Sequence, residues 1–389
     1  MASNSPKTTT RSEIERLIFS CEFLTPKEIL EKNVPKLLAE TGVALCMRTM
    51  PRDLENSGDF KAMLSEFKNL GIEQQFIPWP MLEVEDGYYA NVKTAAKFST
   101  MMKRTLDWYC DNKFEIPLGV VIDLEPSTDP DEAKKAEAFR KEGKKPEKKG
   151  MDIMSTVGKI IDQIDGSMDP GVFESGSREF TAMQDMMHGY GTKAIAVALP
   201  LAYEDIFDDK LLIQQFMTCP VTSVDWDMIN FMVFNTDYVA ATKGLISNDD
   251  YRHLIYTYGK EFITKWGKDK PSITMGITNV GITDIRAVQT DPGLYRLEAS
   301  ALLAAGMVNM GIYALDGVLQ QPDPKAWIET VKQAKASDFK PEPDRLEMAD
   351  NIRRAFRAID FIYPVGQYLV KSGKIMNIIQ MVTSGALKF

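Results

Sequence analysis

The feature that most constrains this chain is its alternation of short apolar runs with longer segments of helical spacing. An apolar run bounded by turn residues is typical of a buried strand, and apolar residues three or four positions apart are typical of an amphipathic helix. Eight such units with short connections predict an α/β fold, a (β/α)8 or TIM barrel. The predicted strands cover residues 15–23, 42–50, 73–82, 117–125, 193–203, 227–238, 271–281 and 306–317.

A doubly wound sheet is the main rival to the barrel. That fold usually carries a glycine-rich turn after its first strand, and here no G-x-G-x-x-G or Walker motif follows a predicted strand. Nucleotide binding is therefore disfavoured, and we predict no cofactor.

The alternation of predicted strands and helices is interrupted once, after the fourth strand. We predict a flexible N-terminus over residues 1–12 and a single barrel domain over 13–389, with 127–176 as a lid-like insertion. The insertion contains the charge run KKAEAFRKEGKKPEKKG at 134–150. Such runs are usually solvated and mobile, so a partly ordered lid is the second interpretation.

The fourth strand, in PLGVVIDLEPS (117–127), carries the most informative pattern. Side chains alternate between the two faces of a strand, so Val121, Asp123 and Glu125 share one face and Val120 and Leu124 lie on the other. Pro126 ends the strand because proline cannot donate to the ladder. The pattern predicts a buried parallel strand whose C-terminal tip presents two acids.

Two carboxylates so close together repel each other when both are ionised, which raises the pKa of one of them. Acid catalysis near neutral pH requires a carboxyl group of this kind. We therefore predict that Asp123 and Glu125 are catalytic. The structural alternative is that Asp123 caps the next turn and Glu125 pairs with a basic neighbour.

The catalytic groups of a (β/α)8 barrel lie at the C-terminal ends of its strands. The predicted strand ends and the loops that follow them carry acids, amides and aromatic rings, a mixture that suits a neutral polyhydroxylated ligand. For the aromatic residues, core packing is the alternative. The predicted substrate-binding residues are Arg48, Trp79, Tyr88, Tyr203, Asn235, Asp237, Tyr313 and Asp316.

Composition excludes several other classes of function. The net charge of −9 argues against a nucleic-acid or anionic-membrane partner. With no signal-like segment and no long apolar stretch, we expect a cytoplasmic protein, and its four cysteines fit reduced core residues. Two histidines and no HExxH motif predict no metal site, although a hard cation held by carboxylates stays open. No G-x-S-x-G motif supports acyl transfer.

The strand-four sequence GVVIDLEP resembles the end of the D-x-x-D-x-D-x-E signature of chitinase-like glycoside hydrolases of family 18, and also the strand-four ending of uncharacterised glycosidase-like TIM barrels. MVFN (232–235) and GIYALDG (311–317) resemble that family's strands six and eight more loosely. The resemblance implies that Glu125 is the general acid. It also implies that Asp123 stabilises the charged intermediate formed when a substrate N-acetyl group attacks the anomeric carbon.

This chain departs from the family pattern at several positions. Leu118 and Val121 stand where the family has its first two aspartates, Phe234 and Asn235 replace a Tyr and an Asp, and Tyr313 replaces a Trp.

The predicted function is cleavage of a glycosidic bond in a small-molecule or oligosaccharide ligand, with Glu125 as general acid. A conventional two-carboxylate mechanism needs a second acid across the barrel, and Asp237 and Asp316 are the candidates. The alternatives are a non-catalytic carbohydrate-binding barrel and a metal-dependent lyase or aldolase on the same fold. The sequence does not fix the oligomeric state.

Overall fold

The computed structural model of the protein describes residues 12–126, 170–205, 211–241, 245–278 and 288–354. Eight parallel strands alternate with helices, which confirms the predicted (β/α)8 barrel. The charge run and the rest of 127–169 lie outside the described residues, as do residues 1–11 of the predicted N-terminus. The strands are β1 Arg16–Cys21, β2 Ala44–Thr49, β3 Phe76–Pro80, β4 Gly119–Leu124, β5 Lys193–Ala198, β6 Met228–Met232, β7 Pro271–Gly276 and β8 Asn309–Tyr313.

Helices follow the strands and surround them. Their ends obey ordinary capping rules: the first helix begins after Thr25, which forms a capping box with Glu28, and the second stops at Gly42, whose φ is +70°. Residues 343–354 are also helical. The helices are α1 Pro26–Glu31, α2 Val34–Thr41, α3 Pro51–Glu55, α4 Gly58–Asn69, α5 Ala95–Asp111, α6 Pro170–Gly189, α7 Leu201–Glu204, α8 Leu212–Met217, α9 Asn235–Ala241, α10 Asn248–Trp266, α11 Pro292–Ala305, α12 Leu315–Val318 and α13 Pro324–Lys332.

The ring of strands is hydrogen-bonded in the order β3-β2-β1-β8-β7-β6-β5-β4. It closes between β3 and β4 through the loop that follows β3. In that loop the amide of Ala90 donates to the carbonyl of Asp123 at 3.0 Å, and Ala90 forms a parallel bridge with Leu124. The loop is therefore part of the barrel wall beside the tip of β4.

The two faces of the strands pack into two different cores. Val120, Ile122 and Leu124 lie in the large core between the strands and the helices, whereas Val121 belongs to a smaller core inside the barrel. The predicted division of β4 into two faces is thus confirmed, and Asp123 lies on the same side as Val121.

Four strand predictions, those of β5, β6, β7 and β8, were several residues too long at their C-terminal ends. β5 ends at Ala198, so Tyr203 lies on α7, and β7 ends at Gly276. β6 ends at Met232, which pairs with Thr274 of β7, and Asn235 begins a helix rather than extending the strand. β8 ends at Tyr313, and the short helix α12 follows. At the ends of β6 and β8 the apolar run is longer than the segment that forms hydrogen bonds with the neighbouring strand.

The prediction that all four cysteines lie in the core was wrong for Cys110, which is exposed. Its neighbour Tyr109 is buried on the apolar face of α5, and consecutive helical residues point about 100° apart. No helix among the described residues combines the length and the apolar character needed to cross a bilayer.

Candidate active site at the C-terminal ends of the strands

The tip of β4 places a buried carboxyl group inside the barrel. Asp123 is 1% exposed, and its Oδ1 has no hydrogen-bond partner among the described residues. Burial raises the pKa of Asp123 well above its ordinary value, and the neighbouring Glu125 and Glu22 raise it further. The indole N–H of Trp79 faces this carboxyl and opposes the rise in pKa, yet the Trp79 Nε1 also lacks a partner in hydrogen-bond geometry. A buried carboxyl oxygen and a buried indole N–H that both lack partners reduce the free energy of unfolding, so stability does not explain their presence.

The loop after β3 holds the end of β4 in place. The Asn91 side-chain amide donates to the carbonyl of Glu125 at 3.2 Å, and the Thr94 hydroxyl donates to the carbonyl of Tyr89 at 2.8 Å. Tyr88 adopts a left-handed backbone conformation with φ of +61°, which costs a non-glycine residue on the order of 1 kcal/mol. The loop is thus fixed in a conformation that presents Tyr89 near Glu125 and Tyr88 near Arg48 and Glu22.

Tyr88 forms a hydrogen-bonded pair with the cation at the tip of β2. Arg48 Nη1 donates to the Tyr88 hydroxyl at 3.2 Å. Burial and the charge of Glu22 raise the pKa of Tyr88, so the phenol stays neutral. Burial alone would lower the pKa of Arg48, but Tyr88 and Glu22 outweigh it and raise that pKa. Arg48 therefore stays a cation among several acids.

Sequence reasoning places Glu22 at the end of the first strand but does not include it among the predicted catalytic or substrate-binding residues. Glu22 is 5% exposed and accepts a hydrogen bond from the Tyr313 hydroxyl at the tip of β8. Its charge acts on Asp123, Tyr88 and Arg48. The position of Glu22 at the end of a predicted strand was the available signal. We call the following set the mouth cluster: Glu22, Arg48, Trp79, Tyr88, Tyr89, Asp123, Glu125 and Tyr313.

Asp316 lies beside this cluster and fixes the backbone of Glu22. One Asp316 oxygen accepts from the Glu22 amide at 3.2 Å, and the other accepts from the Phe23 amide at 3.1 Å and from the Cys21 thiol at 3.6 Å. Burial raises the pKa of Asp316 to about 6, while these backbone hydrogen bonds oppose the rise. The carboxylate is thus engaged with the end of β1.

Three other predicted binding residues point toward the outer layer of the barrel. The Tyr203 hydroxyl donates to Glu261 at 3.3 Å, and its ring packs against Phe262 at 4.3 Å between centroids. Asn235 donates to Glu298 at 2.7 Å and to Asn248 at 3.0 Å. Asp237 lies on α9, where its charge acts on Tyr238 and Tyr251. The structure does not bring these side chains together with Asp123.

The buried carboxyl of Glu298, which accepts a hydrogen bond from Asn235, predicts how the stability of the protein depends on pH. Glu298 is fully buried on α11, and burial raises its pKa from 4.5 to about 8. Because the folded protein holds this proton more tightly than the unfolded chain, its contribution to stability is complete at low pH and is lost as the pH rises toward 8. Glu298→Gln keeps a carbonyl oxygen for Asn235 and cannot ionise. We expect the variant to gain roughly 4 kcal/mol relative to wild type between pH 5 and pH 8.5 in urea unfolding. Parallel pH profiles for the two proteins would contradict this.

Within the described ranges, no group of three His, Cys, Asp or Glu side chains has an arrangement that could hold a metal ion. The acids of the mouth cluster are instead interleaved with aromatic rings and one arginine. Such a surface offers hydrogen-bond acceptors, a buried carboxyl whose pKa is raised and flat apolar faces.

No family model and no curated protein matches this sequence. Among solved structures, the chain is similar to the PgaB (BpsB) glycoside hydrolase domain from Bordetella bronchiseptica, with a TM-score of 0.45, 12% identity and coverage of 82% of this chain and 99% of that one. It is similar to a chitinase from Chromobacterium violaceum with a TM-score of 0.44 and 11% identity, over 82% of this chain and 98% of that one. It is also similar to an L-ribulose 3-epimerase with a TM-score of 0.41 and 10% identity, over 86% and 96% of the two chains. The solved structures that this chain resembles at low identity therefore include glycoside hydrolases and a sugar epimerase.

Proposed function

We propose that this protein hydrolyses a glycosidic bond at the mouth cluster. The observation that carries the proposal is the buried carboxyl of Asp123, one oxygen of which has no hydrogen-bond partner among the described residues, beside Glu125 at the end of β4. Tyr89, Trp79 and Tyr313 supply rings of the kind that pack on the C–H faces of a sugar, and Arg48 supplies a donor for hydroxyl groups. The ligand class is a carbohydrate without a phosphate.

In this mechanism Asp123 and Glu125 share one proton. Burial raises the pKa of Asp123, so the pair keeps a proton at a pH where an exposed carboxyl group has lost it. Glu125 is less buried and delivers the proton to the glycosidic oxygen as the bond to the anomeric carbon breaks. Asp123 is then ionised and faces the positive charge that develops at that carbon.

A binding-only barrel is the second candidate function. A binding-only function explains the aromatic rings of the mouth cluster equally well, but it does not explain the raised pKa of the Asp123 carboxyl group. Tyr203, Asn235 and Asp237 hydrogen-bond or act electrostatically inside the protein and have no role in the proposed mechanism. Asp316 holds the backbone of Glu22 and does not contact the substrate in this mechanism.

The test compares wild type with Glu125→Gln on a panel of 4-nitrophenyl glycosides. We expect kcat to fall by a factor of about 10² to 10⁴, because the amide cannot donate the proton. The loss should be smaller for 2,4-dinitrophenyl glycosides, whose leaving group needs less protonation. The matched control is Glu85→Gln, the same change at an exposed position in the loop after β3. Ligand-induced thermal stabilisation without any release of nitrophenol from wild type would favour the binding-only barrel.

A further inference from the structure

A two-carboxylate hydrolase with Glu125 as proton donor needs a second carboxylate on the opposite face of the sugar, either as the nucleophile or as the base that activates water. Asp123 and Glu125 extend from one strand and reach the substrate from one side. Asp316 is engaged with the amides of Glu22 and Phe23, and Asp237 acts on the outer layer. The carboxyl groups of Asp237 and Asp316, which were predicted from the sequence as candidates for the second acid, are thus both engaged elsewhere.

The Glu22 side chain approaches the mouth cluster from β1, three strands away from β4 around the ring. β2 and β3 separate β1 from β4, so the two acids arise roughly 14 Å apart along the barrel wall, taking about 4.8 Å for each step between strands. The charge of Glu22 still raises the pKa of Asp123, Tyr88 and Tyr89, so its side chain reaches inward to the cluster. Inverting glycosidases hold their two carboxyl groups farther apart than retaining ones, with room for a water molecule between them, and two acids that arise three strands apart fit that arrangement.

We propose that Glu22 is the general base of an inverting hydrolysis. This inference rests on the proposed function. Glu22 takes a proton from water while the water oxygen bonds to the anomeric carbon. The bond from that carbon to the leaving oxygen breaks, and the leaving oxygen receives the proton from Glu125. One water is consumed, and the two carboxyl groups exchange their protons with solvent before the next turnover.

The surroundings of Glu22 suit this role. The Tyr313 hydroxyl donates to Glu22 Oε2, and Asp316 fixes the Glu22 backbone, so the carboxylate is held in one orientation. Tyr313 and Asp316 are then positioning residues. The charged and titratable groups near Glu22 are Arg48, Tyr88, Tyr89, Asp123, Tyr313 and Asp316.

The first measurement uses wild type and Glu22→Ala with the 4-nitrophenyl glycoside that wild type cleaves fastest. We expect proton NMR to show the anomer of opposite configuration as the first product of wild type. We expect kcat of Glu22→Ala to fall by about 10² to 10⁴ and azide to restore turnover, because azide attacks without a base. Azide should give no rescue in Glu125→Gln. The matched control is Glu15→Gln, at an exposed position next to the start of β1.

A second variant covers the case in which Glu22→Ala does not fold. Tyr313→Phe removes one hydrogen bond from Glu22 and leaves its carboxylate in place. Because that bond stabilises the ionised form, its loss should raise the pKa of Glu22 and move the acid limb of the kcat/KM profile to higher pH. A first product of unchanged anomeric configuration, or Glu22→Ala activity within threefold of wild type, would overturn the role of Glu22 while leaving hydrolysis intact. Absence of cleavage by wild type across the panel would overturn the proposed function and this inference together.

Discussion

Asp123→Asn should reduce kcat by about 10²- to 10³-fold on any glycoside that wild type cleaves. The amide occupies the same space but cannot store the shared proton or oppose a developing positive charge. Asp123 is fully enclosed inside the barrel, so the substitution changes neither the outer core nor the packing of β4 against the helices. We expect the far-UV circular dichroism spectrum to be that of wild type.

The same variant should be at least as stable as wild type at alkaline pH. The folded pKa of Asp123 is raised, so wild type loses stability as the pH rises from the ordinary range of an aspartate toward that raised value. An amide has no such loss, and the stability difference in favour of Asp123→Asn should grow between pH 5 and pH 8 in urea unfolding.

The control for Asp123→Asn is Asp111→Asn, at the exposed end of α5, which should change neither activity nor the pH profile. If Asp123 served only to cap a turn, Asp123→Asn would instead keep both its activity and its stability, because asparagine caps turns about as well as aspartate.

Glu204→Gln should destabilise the protein by about 3 kcal/mol or more. Glu204 on α7 and Arg353 in the helical segment 343–354 are both fully buried, and Arg353 Nε donates to Glu204 at 3.1 Å. The Tyr258 hydroxyl also donates to Glu204, at 2.8 Å. Removing the negative charge takes one of the carboxylates away from the guanidinium of Arg353, which also pairs with Glu261 at 2.6 Å. Charge removal at such a pair costs far more than at the surface, since water cannot replace the lost partner.

The matched control for Glu204→Gln is Asp86→Asn. Asp86 pairs with Lys97 at 2.7 Å, but both side chains are at least half exposed. Exposed pairs contribute about 0 to 1 kcal/mol, so this variant should unfold within that range of wild type. Equal effects of the two substitutions in urea unfolding would contradict the account of the buried pair.

The sequence predicted much of this fold because the features that determine it are local. All eight strands lie within the predicted runs, and the alternation in β4 correctly assigned Val121 and Asp123 to one face. The C-terminal ends of β5, β6, β7 and β8 were misplaced. At β6, for example, the ladder partner of the last residue, Met232, is a residue of β7 about 40 positions later in the chain. Local patterns carry no information about such a partner.

The candidate site was harder to predict for the same reason. Glu22 and Tyr313 are 291 residues apart, and only closure of the barrel brings their side chains into a hydrogen bond. Asn235 and Asp316 were placed near the correct strand ends, yet their hydrogen bonds run to α11 and to the backbone after β1. A residue type at a strand end indicates proximity to the site, while the direction of its side chain depends on the helices that follow.

The most direct test of the account is a crystal structure of Glu125→Gln with a glycoside that wild type cleaves. Our proposal predicts a sugar ring against Tyr89 or Trp79, with its glycosidic oxygen within hydrogen-bond distance of the residue at position 125 and its anomeric carbon between Asp123 and Glu22. A sugar bound elsewhere on the barrel, with the Asp123 carboxyl still enclosed and out of reach, would contradict the claim that the end of β4 is the site of cleavage.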